Sequence, residues 1–126
     1  MSEKITILYI EDNLHNRVLV RRVLEAADYQ IIEAENGFSG LALAQTHHPQ
    51  LIIVDINLPD IDGYDVTERL RQMPNFKATP ILAMTANVMK GDREKTLSAG
   101  CNGYIQKPID IDLLPLQIAE YLQKVG

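Results

Sequence analysis

Short runs of β-branched and aliphatic residues alternate with helical patterns along the whole chain, and this alternation restricts the fold more than any other feature. Five runs are predicted as strands, over residues 5–10, 30–33, 51–54, 80–84 and 104–106. The third run is apolar at every position, which is typical of a strand buried on both faces. Strands of that kind occur in parallel sheets that carry helices on both sides.

Helical patterns fill the segments between these strands. Leu19, Val20, Val23 and Leu24 form one apolar stripe in a helix predicted over residues 14–27. Further helices are predicted before Pro49, over 65–73 with Asp65 as N-cap, over 90–99, and over 113–124 with Asp112 as N-cap. Asn36-Gly37 is predicted as a turn. The fold class that follows is α/β, a doubly wound parallel sheet of five strands with five helices.

Length and composition exclude several classes of protein. The chain has 126 residues, which corresponds to one domain over residues 1–126. Its longest apolar runs are far shorter than the roughly 20 residues of a membrane helix, and no signal peptide is evident, so a cytoplasmic location is expected. The net charge of −5 argues against direct binding to nucleic acid. A single cysteine, Cys101, excludes an internal disulfide and is expected to be a small packed residue.

Polar residues gather where the predicted strands end. Glu11 and Asp12 follow the first strand, and Asp55 follows the third. Thr85 follows the fourth strand, with Ala86 beside it, and Lys107 follows the fifth. Ligands of open α/β sheets bind at the carboxyl ends of the strands, so these side chains are candidates for one site.

The chemistry open to this set is narrow. Neighbouring carboxylates repel one another unless a cation lies between them. Oxygen ligands without histidine or cysteine favour Mg²⁺ or Mn²⁺. Lys107 supplies a positive charge for a phosphate oxygen, and Thr85 supplies a hydroxyl. A carboxylate nucleophile, a hard metal ion, a lysine and a hydroxyl are what phosphoryl transfer to an aspartate requires.

Each residue also has an ordinary structural interpretation. Asp55 alone is typical of a turn or cap residue, Glu11-Asp12-Asn13 of a helix cap, and Lys107 of a solvated surface lysine. The functional interpretation depends on their combination, each directly after a strand and in chain order. His15, His47 and His48 are interpreted as surface residues, because they have no carboxylate at ligand spacing.

The sequence resembles the receiver domain of response regulators in two-component signalling over essentially its whole length. The resemblance is carried by the segments at 11–13, 54–59 with Asp62-Gly63, 84–87, and 103–108. It implies a flavodoxin-like fold with strand order 2-1-3-4-5. It further implies a partner that is a histidine kinase or phosphotransfer protein, a downstream protein target, and no catalytic activity beyond the receiver's own phosphorylation and dephosphorylation.

The resemblance also assigns roles to single residues. It implies Asp55 as phosphoacceptor, with Asp12, Asp55 and the backbone carbonyl of Asn57 as Mg²⁺ ligands and Glu11 assisting through water. The phosphoryl group would meet Lys107, Thr85 and the backbone N–H of Ala86. Thr85 and Tyr104 would form the switch, which reshapes the face made by the fourth helix, fifth strand and fifth helix. Asn57 and Asn87 flank the site, and a kinase-docking patch is predicted from Leu14, Val18, Pro108 and Ile109.

Alternatives remain at the level of the whole protein. The chain is expected to be a stand-alone regulator, and the alternative is a receiver domain from a hybrid histidine kinase. A Mg²⁺-dependent phosphatase of the haloacid dehalogenase type would need an acidic residue at Asn57 and a nucleophile after the first strand. A flavodoxin-like electron carrier would need a phosphate-binding loop where Glu11 and Asp12 stand.

Overall fold

Five strands and five helices alternate in the computed structural model, which describes residues 4–86 and 90–124. The strands are β1 Thr6–Ile10, β2 Gln30–Ala34, β3 Leu51–Asp55, β4 Ile81–Thr85 and β5 Gly103–Gln106. The helices are α1 Leu14–Ala26, α2 Gly37–His47, α3 Gly63–Gln72, α4 Lys90–Ser98 and α5 Leu113–Lys124. The predicted alternation is confirmed. A short 3-10 helix at Pro74–Phe76 was not predicted.

The strands form one parallel sheet in the order β2-β1-β3-β4-β5. Its register pairs Ile10 with Val54 and Asp55 with Met84, so the ends of β1, β3 and β4 lie level. Thr85 pairs with Gln106, which brings the end of β5 to the same edge. The strand order implied by the resemblance is therefore confirmed.

Helices cover both faces of the sheet. Alternate strand residues point to opposite faces, and both faces carry apolar side chains that the helices bury. On one face Leu8, Ile52 and Val54 pack with residues of α2 and α3, such as Leu41 and Val66. On the other face Ile7, Tyr9 and Ile53 pack with residues of α1 and α5, such as Val20 and Leu114. Every residue of β3 is buried, as its unbroken apolar run predicts. The sheet is thus doubly wound, as expected.

The capping residues at three helix starts differ from the prediction, although α5 begins at Leu113 as predicted. The N-cap of α3 is Asp62, whose side chain accepts a hydrogen bond from the backbone N–H of Tyr64, so the helix begins before Asp65. The start of α5 is held by Asp110, not Asp112: its Oδ1 accepts from the backbone N–H groups of Asp112 and Leu113. Asn36 caps α2 instead of forming a free turn. In each case an earlier Asp or Asn reaches the unpaired N–H groups of the first turn.

The residues interpreted as structural lie where the sequence predicts. His15, His47 and His48 are exposed. Cys101 is buried, with its Sγ 3.6 Å from the hydroxyl of Thr67. Within the described ranges, no helix has the length and apolar character needed to cross a membrane.

Candidate functional site

The carboxyl edge of the sheet brings the predicted acidic residues together. Glu11 directly follows β1, and Asp55 is the last residue of β3, the neighbouring strand. Glu11 is fully buried, Asp55 is 2% exposed, and Asp12 faces solvent. One carboxylate oxygen from each of the three lies within 4.8 Å of the others. The result is a small acidic pocket with a buried floor and an open rim.

Lys107 bridges the two buried carboxylates. Its Nζ lies 3.1 Å from Glu11 Oε1 and 3.3 Å from Asp55 Oδ2. Lys107 directly follows β5, two strands from β3, so only a long side chain reaches this far across the edge. Burial alone lowers the pKa of Lys107, but the charges of Asp55 and Glu11 raise it above its ordinary value. The ammonium group is therefore charged at neutral pH.

The two buried carboxylates share a proton unequally. Burial, followed by the neighbouring Glu11 carboxylate, raises the pKa of Asp55 to about 7. Burial also acts to raise the pKa of Glu11, but hydrogen bonding with Asp55 and the charge of Lys107 outweigh it and lower that pKa to about 2. Like charges at this distance ionise together only with difficulty. Without a cation, the pair therefore retains a proton on Asp55 below about pH 7.

The donor set fits a hard divalent cation. Three carboxylates converge, two of them buried, and oxygen is the ligand atom that Mg²⁺ prefers. The backbone N–H of Asn57 donates to Asp55 Oδ1 over 3.1 Å, which fixes that carboxylate at the pocket. A cation here would relieve the repulsion between Glu11 and Asp55 and stabilise both as carboxylates.

Thr85 and Tyr104 occupy neighbouring strands beside the pocket. Thr85 ends β4 and is buried, and its carbonyl accepts a hydrogen bond from the backbone N–H of Lys107 over 2.8 Å. Tyr104 is half-buried and pairs with Ala83. Because strand residues alternate, Thr85, Ala83 and Tyr104 face the same side of the sheet. Ala86 is exposed directly after Thr85, and Asn87 lies outside the described residues.

The residues of the predicted docking patch differ in exposure. Leu14 is 65% exposed and Val18 is 39% exposed, both on α1. Pro108 is exposed, whereas Ile109 is half-buried and packs against the core beneath α1 and α5. A patch in this region therefore depends mainly on the two α1 residues and Pro108.

Three residues that support the pocket were not predicted. The hydroxyl of Tyr9 donates to Glu11 Oε1 over 3.0 Å, and Asn16 Nδ2 donates to the same oxygen over 3.2 Å. The buried guanidinium of Arg17 donates to the backbone carbonyl of Glu11 over 2.7 Å and pairs with Glu33 of β2. Tyr9 had one available signal, since it is the only aromatic residue in β1. Asn16 and Arg17 lie one turn into α1, within reach of the acidic residues.

Comparison with known proteins identifies the family. The family described as response regulator receiver domain matches residues 7–119. This chain belongs to that family. The receiver is 39% identical over 117 residues to the polar-differentiation response regulator DivK of Brucella ovis, covering 93% of this chain and 95% of that protein. It is therefore the receiver domain of a two-component response regulator, a signalling protein.

Solved structures agree with this assignment. The receiver superposes on the chemotaxis protein CheY4 of Vibrio cholerae with a TM-score of 0.86 and 27% identity, covering 98% of this chain and 100% of that one. The receiver domain of a Pseudomonas aeruginosa sensor histidine kinase gives a TM-score of 0.88 at 31% identity, covering 96% and 99%. That structure carries a magnesium ion coordinated in its active-site cleft.

Proposed function

We propose that this receiver accepts a phosphoryl group on Asp55 with the help of Mg²⁺ and passes the signal to a protein partner. The observation that carries the proposal is the contact of Lys107 Nζ with both Asp55 Oδ2 and Glu11 Oε1 at the buried edge of the sheet. It joins a nucleophile, a fixed positive charge and a cation site within one pocket. Structural carboxylates have no need of all three.

The chemistry follows from these groups. A carboxylate oxygen of Asp55 attacks the phosphorus of a phosphohistidine on the donor protein, forming an O–P bond while the N–P bond breaks. The electron pair of that bond returns to the imidazole nitrogen. Lys107 stabilises the negative charge on the transferring oxygens, and the hydroxyl of Thr85 and the backbone N–H of Ala86 are the further donors we assign. Bound Mg²⁺ would supply additional positive charge to the same oxygens.

Replacing the acceptor tests the proposal. Asp55→Asn keeps the shape of the side chain but removes the nucleophilic carboxylate, so we expect no labelling by a histidine kinase or by acetyl phosphate. The wild type should gain one hydroxylamine-sensitive acyl phosphate, measured by mass spectrometry. Asp12→Asn is the control, because it removes a negative charge from the rim of the pocket but keeps the acceptor. It should still be labelled at Asp55, although more slowly than the wild type. Full labelling of Asp55→Asn would refute Asp55 as the acceptor.

We propose that Asp12, Asp55 and the carbonyl of Asn57 bind Mg²⁺ directly and that Glu11 binds it through water. The three carboxylates converge in the acidic pocket, and a related receiver holds magnesium in its cleft. Mn²⁺ satisfies the same ligands.

Thermal unfolding tests this metal site. Millimolar Mg²⁺ should raise the melting temperature of the wild type by several degrees, because binding to the folded state alone adds stability. Asp12→Ala removes a proposed direct ligand at an exposed position and should lose most of that rise. An equal rise in the two proteins would contradict Asp12 as a ligand.

The partners follow from the exposed surfaces around the site. We propose a histidine kinase or phosphotransfer protein as donor, docking on Leu14, Val18 and Pro108 with Ile109 at the edge. The downstream partner is a protein bound by the face of α4, β5 and α5, in a cytoplasmic regulator whose receiver domain comprises residues 1–126. Asn57 and Asn87 are the two residues that we assign, from the resemblance to receivers, to positions flanking the phosphoryl group.

A further inference from the structure

The two oxygens of Glu11 have unequal environments. Oε1 accepts from three donors: Tyr9 OH at 3.0 Å, Lys107 Nζ at 3.1 Å and Asn16 Nδ2 at 3.2 Å. Oε2 accepts from the backbone N–H of Asn13 at the longer distance of 3.5 Å. Oε1 is thus anchored to the protein, and Oε2 remains the oxygen with capacity for a water or cation.

Tyr9 is the anchor that comes from the core. It is fully buried in β1, and its hydroxyl lies 3.0 Å from Glu11 Oε1 and 3.1 Å from Met84 Sδ. A hydroxyl has one proton to donate, and a carboxylate is a much stronger acceptor than a thioether. The proton therefore goes to Glu11, and Met84 packs against the hydroxyl.

The other two anchors are less permanent than Tyr9. Lys107 divides its ammonium group between Glu11 and Asp55, and in the proposed reaction it also serves the phosphoryl group. Asn16 extends from α1, a helix that is partly open to solvent around it. The ring of Tyr9 is packed within the sheet and has no competing partner of similar strength among the described residues.

We propose that Tyr9 is a positioning residue for the cation site, holding Glu11 Oε1 so that Oε2 is directed to the metal's water shell. The inference rests on the proposed Mg²⁺ site and deepens it. Glutamate has one more rotatable bond than aspartate, so a buried Glu11 needs an anchor to present a single oxygen. Groups that orient metal-binding residues in this way are commonly worth about 10- to 100-fold in metal affinity.

Calorimetric titration with Mg²⁺ alone tests the inference. Tyr9→Phe removes only the hydroxyl, and we expect it to weaken Mg²⁺ binding by about tenfold. Tyr29→Phe is the matched control, because Tyr29 packs on the same core cluster but precedes β2, at the opposite edge of the sheet. It should bind Mg²⁺ like the wild type. Equal affinity in Tyr9→Phe and wild type would overturn the inference.

A double-mutant cycle separates positioning from a general effect on folding. In a Glu11→Asp background the shorter side chain no longer reaches the hydroxyl, so adding Tyr9→Phe should leave Mg²⁺ affinity unchanged. The same tenfold loss in that background would overturn the inference. Mg²⁺ should also perturb the near-ultraviolet tyrosine spectrum of the wild type, which has five tyrosines and no tryptophan, and Tyr9→Phe should lose that change. A wild type that binds no Mg²⁺ would instead refute the proposed metal site itself.

Discussion

Asp55, the proposed phosphoacceptor, lies in a place that disfavours a charged side chain. The side chain is almost fully buried, and the Glu11 carboxylate lies beside it. The Asn57 N–H and Lys107 offset part of that cost by donating to Oδ1 and Oδ2. Burial and Glu11 prevail, so the pKa of Asp55 rises to about 7. A cation in the pocket would favour the ionised form of this proposed nucleophile.

This pKa predicts how stability depends on pH in the metal-free protein. The folded state binds more protons than the unfolded state between about pH 4 and 7, so the free energy of unfolding falls as pH rises through that window. Glu11, with its pKa lowered to about 2, contributes stability that is lost only in more acidic solution. The Asp55→Asn variant should not show this decrease in the free energy of unfolding. At about pH 8 in the presence of a chelator, its melting temperature should be about 5 °C above that of the wild type.

Thermal melts of both proteins from about pH 5 to about pH 8 provide the measurement. The difference between their melting temperatures should be small at the acidic end and grow toward the basic end. Asp12→Asn, at the exposed rim, is the control. Its melting temperature should decrease with rising pH as in the wild type, whereas that of Asp55→Asn should not. Parallel profiles for the wild type and Asp55→Asn would contradict the raised pKa.

At the scale of elements, the segment after β3 is held at two points. The Gly63 N–H donates to the carbonyl of Ile56 over 3.0 Å, so the start of α3 lies directly on the backbone that follows Asp55. Asp60 accepts from the backbone N–H groups of Gly37 and Phe38, at 2.8 and 2.9 Å, and ties the same segment to α2. These contacts fix the direction in which the chain leaves the sheet after Asp55.

Gly63→Ala should disturb this segment, because a Cβ at position 63 would lie 2.7 Å from Ile56 Cα and still closer to the Asp55 carbonyl oxygen. Both are backbone atoms that move only with the strand or helix. We expect the free energy of unfolding, measured in urea, to decrease by about 1–3 kcal/mol, and we expect Mg²⁺ to stabilise the variant less than the wild type. Gly103→Ala is the control, since the three atoms nearest to its Cβ all belong to the Tyr121 side chain, which can move without the backbone. A smaller loss for Gly63→Ala than for Gly103→Ala would contradict the argument.

Across the molecule, the proposed function requires that a phosphoryl group added at Asp55 alters a distant surface. Thr85 and Tyr104 lie on one side of the sheet, and the small residue Ala83 stands next to Tyr104. In the proposed switch, Thr85 turns toward the phosphoryl group and the Tyr104 ring changes position beside the small residue Ala83. A hydrogen bond from the Thr85 hydroxyl to a phosphoryl oxygen exists only after phosphorylation, so it would favour the altered state.

Thr85→Ala should therefore uncouple the site from the surface. Beryllofluoride with Mg²⁺ should still bind at Asp55, but the NMR signals of the Tyr104 ring should no longer shift. A hydrogen bond to a charged group is worth about 1.5–3 kcal/mol, which corresponds to roughly a 10- to 150-fold shift in population. Thr79→Ala, just before the opposite end of β4, is the control and should respond like the wild type. A full shift in Thr85→Ala would contradict the coupling.

The architecture and the residues that meet at the site could be predicted from local patterns in the chain. Periodicity is a local property, so the unbroken apolar run ending at Asp55 indicated a strand buried on both faces. Parallel strands end at a common edge, so polar residues after separate strands, such as Glu11 and Lys107, were predicted to meet. The capping residues of the helices were predicted less well, because Asp62 and Asp65 are equally suitable caps by residue type, as are Asp110 and Asp112.

Tertiary packing decides which charged groups are buried and lie close enough to shift each other's pKa. Glu11 and Asp12 are adjacent in the chain, yet one is fully buried and the other faces solvent. The strand ends and α1 surround Glu11 with Tyr9, Arg17 and Lys107, and these distances depend on strand register and helix packing. Burial and proximity set the pKa of a carboxylate, and both arise from contacts between residues far apart in sequence. No local pattern encodes them.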